Sequence, residues 1–182
     1  DDVFTLHQDR AISIAKQLKA LDLPFRCTTR ANYVTNELAR ELKYNGCDMV
    51  SMGIESGNDE ILSNVCKNQT TKQIRESVET LSWNGISSKG FFIIGLPGET
   101  EKTARDTINF ARQLEVYGMN SDFYSLMPLP GTDIWTNPDK HKIKILDRNY
   151  THYVQGKEVQ VYCETEHLKA DRIKQLIEEA RR

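Results

Sequence analysis

The stretch "GFFIIGLPGET", from Gly90 to Thr100, decides how the rest of the chain is interpreted. Its apolar run is short enough for a buried strand, and the turn that follows contains Gly95, Pro97 and Gly98. The last residue of the stretch, Thr100, is of a type that caps helices. The stretch therefore predicts a buried strand, a tight turn and a helix in direct succession.

The same succession recurs along the chain at Gly46, Gly85 and Gly118. Each of these glycines follows an amphipathic segment with helical spacing and precedes an apolar segment, and they are separated by 39 and 33 residues. Because parallel strands need a crossover about as long as a helix, this period predicts an α/β fold with a parallel sheet of repeated β/α units. An open wound sheet and part of a barrel both fit the period.

The period ends after residue 130. Residues 131–165 are polar with short alternating segments, and a last amphipathic helix is predicted from Leu168 to Arg182. The sequence thus predicts a core of β/α repeats over residues 1–130, followed by a C-terminal connecting region and helix over residues 131–182.

Composition limits the classes of protein and partner that fit. The 182 residues are 38% hydrophobic and 27% charged with a formal net charge of −2, which is typical of a globular chain. Because the basic residues are scattered, no nucleic-acid partner is predicted. The chain has no apolar run of membrane-spanning length and does not start with a secretion pattern, so we predict a cytoplasmic protein without a membrane partner. The spacing of the four cysteines predicts no metal site in this chain.

Each predicted strand ends in a polar or glycine-containing cluster, namely "TTRAN", "GIESG", "GLPGE" and "MPLPGT". Because ligands of parallel β/α folds bind at the carboxyl ends of the strands, we expect these clusters to face one pocket. Glu55 follows an apolar run, where a carboxylate needs a partner, although it can also serve as an acidic residue at a helix start. Lys67 and Arg30 can meet an anionic group there, and ordinary surface roles fit them as well.

The turn in the opening stretch exposes main-chain N–H and C=O groups, because glycine has no Cβ and Pro97 fixes its own backbone. A flat ligand such as an adenine ring can approach such groups closely. A strand-to-helix turn also uses Gly and Pro simply to change direction, so both interpretations stay open.

Five blocks in a fixed order, "DDVFT", "RCTTRANYV", "VSMGIESGNDEIL", "GFFIIGLPGET" and "PLPGT", resemble the later part of radical S-adenosylmethionine (SAM) enzymes. The likeness spans roughly residues 1–135 and is greatest to the branch that often carries a cobalamin-binding domain upstream. It implies that the chain forms the C-terminal portion of a partial TIM-type barrel, with Asp1 and Asp2 at the tip of the barrel's third strand.

The resemblance also implies that four polar residues contact SAM. Thr28 and Arg30 fall where the barrel's fourth strand contacts the adenosyl or methionyl part, and Glu55 falls where a polar side chain contacts the cofactor. Lys67 matches a basic residue that holds the methionine carboxylate in related enzymes.

Two further positions are implied for the adenine. Ile93 would lie against the ring, and Ser125 on the next strand would offer it backbone hydrogen bonds. The catalytic residues of the enzyme stay unknown from the sequence.

The implied activity of the whole enzyme is reductive cleavage of SAM by a [4Fe–4S] cluster, which yields methionine and a 5′-deoxyadenosyl radical. The C-x-x-x-C-x-x-C loop that binds this cluster is absent from the sequence. The cluster ligands are therefore expected outside this chain, which is expected to be an inactive fragment of a longer enzyme. Cobalamin is implied only through the upstream domain. The implied partners are an unidentified small-molecule or peptide substrate and an electron-donor protein.

Two other functions fit the same residues. A non-catalytic α/β module that binds a nucleotide-like or anionic metabolite would use the same turns, and a small lyase would need an activated lysine such as Lys89. An apolar sheet edge in a fragment also predicts either a homodimer through that edge or a terminal segment that covers it.

Overall fold

The structure is a computed structural model that describes residues 3–154, 156 and 158–182. The strand tip predicted at Asp1 and Asp2 lies outside the described residues. The α-helices of the described ranges are α1 (Gln8–Ala20), α2 (Asn36–Tyr44), α3 (Asp59–Asn64), α4 (Thr71–Trp83), α5 (Glu101–Glu115), α6 (Asp133–Thr136) and α7 (Ala170–Ala180). The strands are β1 (Phe25–Thr29), β2 (Cys47–Glu55), β3 (Ser87–Ile94), β4 (Met119–Ser125), β5 (Ile143–Ile145) and β6 (Cys163–Thr165). Short 3-10 helices cover Ala31–Tyr33, Pro138–His141 and Tyr150–His152.

Strands β1 to β4 form one parallel sheet in the order β1-β2-β3-β4. In its first pair, Thr28 of β1 lies opposite Ser51 of β2. Neighbouring strands are consecutive in the chain and are joined through helices, which confirms the predicted α/β fold of repeated β/α units. Strands β5 and β6 form a separate antiparallel pair inside the region predicted to be connecting. A domain boundary after residue 130 stays a prediction.

The helix starts follow from the capping residues in the sequence. Thr35 accepts a hydrogen bond at 3.1 Å from the N–H of Leu38. Thr70 and Gln73 form a capping box, and Thr100 accepts a hydrogen bond from the first turn of α5 at 3.3 Å. The predicted glycine stops have left-handed backbones, with φ of 96° at Gly46, 70° at Gly85 and 81° at Gly118.

The chain divides into two compact units made of interleaved segments. The first comprises the residues up to Ile54 together with Gln69–Phe91 and Ala111–Ser121. The second comprises Glu55–Asn68, Phe92–Phe110 and Asp122–Arg182. Because β2, β3 and β4 each pass from a segment of the first unit into one of the second, their C-terminal residues all belong to the second unit.

The first unit has a core of small and branched side chains. Gly90 of β3 is closely surrounded, since a Cβ there would lie 2.7 Å from Cδ1 of Ile54 and 2.9 Å from Met119. The side chains of Ile54 on β2 and Met119 on β4 thus pack against the backbone of Gly90. The fully buried residues on its helices include Ala11, Ala15, Leu38, Ala39, Ile74, Val78 and Leu81.

The outer edge of β1 is lined by the segment that precedes α1. The N–H of Phe4 donates to the carbonyl of Thr28 at 2.9 Å, and the hydroxyls of Thr5 and Thr29 are hydrogen-bonded. The segment that precedes α1 therefore contacts this edge, and the predicted shift of a terminal segment stays a prediction. Association into a homodimer stays a prediction.

The second unit has its own hydrophobic cluster. Its buried members come from α3, the turn after β3, the residue after β4, and both strands of the antiparallel pair. The rings of Phe92 and Phe123 stack with their centroids 5.0 Å apart. Helix α7 joins this unit through an ion pair in which Arg172 contacts Glu101 at 2.6 Å. The buried residues of the cluster are Ile61, Leu96, Leu126, Ile143 and Cys163.

Candidate functional site at the ends of the parallel strands

Glu55 and Lys67 form an ion pair in the second unit, at the last residue of β2. Nζ of Lys67 lies 2.7 Å from Oε1 of Glu55, and the two side chains are 18% and 22% exposed. A half-buried carboxylate next to an apolar strand is thus matched by a cation, as the sequence analysis required. Each charged group keeps hydrogen-bonding capacity beyond this contact, because an ammonium has three donors and a carboxylate accepts several hydrogen bonds.

The backbone around this pair has unusual torsions. Glu55 has φ of 70°, and both Cys66 and Asn68, which flank Lys67, have φ of 53°. Residues other than glycine seldom adopt such left-handed conformations, and they concentrate at functional sites where the surrounding structure enforces them. The chain therefore has left-handed backbone at Glu55 itself and at both residues that flank Lys67.

Two more predicted residues lie in the same unit. Ile93 of β3 is half-buried and packs against the hydrophobic cluster, as does Val65, two residues before Lys67. Ser125 ends β4 and is 8% exposed. Its hydroxyl donates at 2.6 Å to the carbonyl of Gln160, so the side chain is engaged within the protein. The role predicted for Ser125 concerned its backbone and stays a prediction.

Thr28 and Arg30 belong to the first unit. Thr28 is half-buried in β1, and Arg30 is exposed immediately after that strand. The carbonyl of Arg30 starts the following 3-10 helix by accepting the N–H of Tyr33 at 3.0 Å. The contact of both side chains with a cofactor stays a prediction from the resemblance.

Sequence reasoning missed Glu99 in the turn after β3. This carboxyl group is fully buried, and Oε2 accepts the N–H of Gly95 at 2.6 Å. Oε1 has no hydrogen-bond partner among the described residues. Burial raises the pKa of Glu99 to about 8, although the N–H groups of Gly95 and Leu96 act in the opposite direction. The only indication in the sequence is an acidic residue inside the otherwise uncharged cluster "GLPGET".

Sequence reasoning also missed how the turn after Glu55 is held. Ser56 is completely buried, and its hydroxyl lies 3.0 Å from that of Thr107 on α5. Asn58 caps α3 by accepting the N–H groups of Glu60 and Ile61, which is the helix-start role that the sequence left open for this cluster. Because Thr107 lies 51 positions from Ser56, no local pattern could have identified the contact.

The four cysteines are free thiols in different surroundings. Cys27, Cys47 and Cys163 are buried free thiols, and Cys66 is an exposed one. Burial raises the pKa of Cys163 to about 12, which disfavours the thiolate that a metal needs. In the part of the chain that the structure describes, no group of three or more His, Cys, Asp or Glu residues could hold a metal ion.

A membrane span requires a certain length and hydropathy of a helix, and none of the described helices meets both.

A parallel sheet of β/α units with charged and glycine-rich turns at its strand ends defines a protein of the α/β class, in which ligands bind at that edge of the sheet. The family model of the radical SAM superfamily matches residues 2–111, and the chain belongs to that superfamily. It is 31% identical, over 99% of its length, to an uncharacterised methyltransferase of Pyrococcus horikoshii. It is 27% identical, over 72% of its length, to the bacteriochlorophyllide d C-12(1)-methyltransferase of Chlorobaculum tepidum.

The chain spans 38% and 29% of the lengths of these two relatives. Among solved structures it is similar to TsrM of Kitasatospora setae, a radical SAM methyltransferase seen with cobalamin and a [4Fe–4S] cluster bound. The TM-score is 0.66 at 16% identity, and the likeness covers 97% of this chain and 36% of that one. This likeness shows the fold, and it is consistent with the predicted portion of a partial barrel.

Proposed function

We propose that the second unit of this chain binds the amino-acid end of SAM through Glu55 and Lys67, within a longer radical SAM enzyme. The observation that carries the proposal is the half-buried ion pair at the last residue of β2. A free amino acid end has an ammonium and a carboxylate side by side. A neighbouring carboxylate and ammonium on the protein can bind both groups at once, with Glu55 meeting the ammonium and Lys67 the carboxylate.

Superfamily membership supports SAM as the ligand, because the family model covers the segment that contains both residues. Ile93 offers a partly exposed apolar side chain for the adenine ring, in the same unit as the ion pair. When bound and reduced by an iron–sulfur cluster, SAM supplies radical chemistry. The role of this chain in that enzyme is to bind SAM, to orient its adenosyl and amino-acid ends and to exclude water from them.

The reaction of the whole enzyme that we propose is transfer of a methyl group to an unidentified substrate. The support comes from the names of the Pyrococcus and Chlorobaculum relatives, both of which are methyltransferases. Use of cobalamin by the whole enzyme is supported by the likeness to TsrM. The cluster ligands would come from outside this chain, since its sequence does not contain the family's C-x-x-x-C-x-x-C loop.

The proposal is tested by isothermal titration calorimetry, which gives the dissociation constants of the 182-residue chain for SAM and for 5′-methylthioadenosine, a compound that lacks the amino-acid end. Replacing Lys67→Met or Glu55→Gln removes one charged contact, so we expect roughly tenfold to a hundredfold weaker SAM binding. Binding of 5′-methylthioadenosine should change by less than about twofold, because neither residue faces the adenosine.

The matched control is Lys72→Met, which removes an exposed lysine whose contact to Glu76 spans 3.8 Å. This variant should bind both ligands like the unmodified chain. Absence of SAM binding by the unmodified chain, or equal loss for SAM and 5′-methylthioadenosine in the Lys67 variant, would refute the proposal.

A further inference from the structure

The turn Ser56–Asn58, which directly follows Glu55, is fixed by hydrogen bonds rather than left as an open loop. Ser56 is fully buried, and its Oγ accepts the N–H of Asn58 at 3.2 Å. The N–H of Gly57 donates to Oγ1 of Thr107 at 3.0 Å. Three consecutive residues after Glu55 therefore belong to one network centred on a single hydroxyl of α5.

The hydroxyl of Thr107 uses its full hydrogen-bonding capacity. It donates its one hydrogen to the carbonyl of Thr103 at 3.1 Å, so its lone pairs accept from Gly57 and from Ser56. The side chain is completely buried, and water cannot replace either contact. Loss of this hydroxyl would leave the N–H of Gly57 and the hydroxyl of Ser56 without their partner.

The same turn has no room to move toward α5. A Cβ on Gly57 would lie 2.5 Å from Cβ of Phe110 and 2.8 Å from Cα of Thr107, well inside contact distance. The backbone of Gly57 thus lies directly on the helix. The hydrogen bonds and the close packing together define one position for this turn.

Glu55 takes its orientation from this turn. Its backbone is left-handed, which a glutamate adopts only when the neighbouring structure enforces it. On its C-terminal side, the enforcing structure is the network of Ser56 and Gly57 with Thr107. A turn released from α5 would let Glu55 relax to an ordinary conformation and move its carboxylate away from Lys67.

We infer that Thr107 is a positioning residue, which acts through Ser56 and Gly57 to hold the Glu55 carboxylate toward the amino-acid end of SAM. Its effect on SAM rests on the proposed function of Glu55. Its effect on the orientation of Glu55 does not. The two effects can therefore be measured separately.

The experiment compares Thr107→Val, which has the same shape without the hydroxyl, with Thr107→Ser, which keeps the hydroxyl. Thr80→Val is the matched control, because Thr80 on α4 makes the same bond to the carbonyl four residues earlier, at 2.7 Å to Glu76, away from this turn. For Thr107→Val we expect SAM affinity to fall roughly tenfold while 5′-methylthioadenosine affinity stays within about twofold. Thr107→Ser should bind SAM within about threefold of the unmodified chain.

A ligand-free measurement separates this inference from the proposed function. In Thr107→Val, the amide hydrogen of Gly57 should exchange at least tenfold faster and the carboxyl carbon resonance of Glu55 should shift, whereas neither should change in Thr80→Val. If Thr107→Val does not fold, Ser56→Ala is measured in its place, with both changes expected in the same direction.

Unchanged exchange at Gly57 and an unchanged Glu55 resonance would overturn the positioning role, whether or not SAM binds. Faster exchange together with undiminished SAM affinity would also overturn it. If the unmodified chain binds no SAM while the Glu55 resonance shifts in Thr107→Val, the proposed function fails and the role of Thr107 in orienting Glu55 stands.

Discussion

Replacing Glu99→Gln should remove a large part of the pH dependence of stability. The carboxyl group of Glu99 is fully buried in the turn after β3, and burial raises its pKa from an ordinary value of 4.5 to about 8. The folded protein therefore keeps a proton on Glu99 that the unfolded chain releases above about pH 4.5. Glutamine has a similar shape, can accept the N–H of Gly95 and does not titrate.

The sign and size follow from proton linkage. A raised pKa in the folded state contributes stability that is fully present below the unfolded pKa and is lost as the pH rises through the folded pKa. With pKa values of 4.5 and about 8, the unmodified protein loses roughly 3–4 kcal/mol of unfolding free energy between pH 5 and pH 8 through this one group. Glu99→Gln should lose none of this unfolding free energy, because glutamine does not titrate.

The measurement is urea unfolding of both proteins at several pH values from 5 to 8. All other titrating groups are common to both proteins, so the difference between their unfolding free energies isolates Glu99. This difference should shift by roughly 3–4 kcal/mol in favour of the variant across the range. Glu60→Gln, which removes an exposed carboxylate of α3, serves as the control and should follow the unmodified protein. Parallel profiles for the unmodified protein and Glu99→Gln would refute the burial argument.

Two further changes probe the second unit. Hydrogen bonds from Arg172 and Arg105 lower the pKa of Glu101 to about 2. The contribution of Glu101 to stability is therefore present above about pH 4.5 and is lost as the pH falls through 2. Glu101→Gln should therefore lower the urea midpoint of unfolding at pH 7, and the midpoints of the two proteins should converge near pH 2. A difference between the midpoints that stays the same at both pH values would contradict this. Gly57→Ala should cost about 1–3 kcal/mol of unfolding free energy in the same assay, because the new Cβ meets Phe110. Gly156→Ala, whose Cβ meets no atom within 4 Å, is its control, and equal effects would argue against tight packing at Gly57.

Much of the fold could be predicted because its determinants are local. A capping box needs only Thr70 and Gln73 three positions apart, and a left-handed stop needs only a glycine such as Gly85 at the helix end. The parallel order of the sheet follows from the repeated β/α period, since each crossover returns the chain in the same direction. The antiparallel pair of β5 and β6 was not predicted, because three-residue strands give too short a pattern to recognise.

The candidate site could be predicted only in part. Glu55 and Lys67 were singled out separately, by burial and by resemblance, but not as partners of each other. Their contact depends on the path of the chain through α3 and on the left-handed torsions of Cys66 and Asn68, and only Asn68 is of a residue type that favours such a torsion.

By itself, then, the sequence determined the order of helices and strands within the β/α repeats, the parallel sheet and the placement of polar turns at the strand ends, because these depend on periodicity and on single residues at turns. Only the tertiary structure decided that Lys67 neutralises Glu55, that Glu99 is buried with one oxygen unpartnered among the described residues, and that Thr107 holds the turn after β2. The physical reason is that ion pairs and hydrogen bonds form between atoms about 3 Å apart, and burial depends on the neighbours in space, whatever the separation of the residues along the chain.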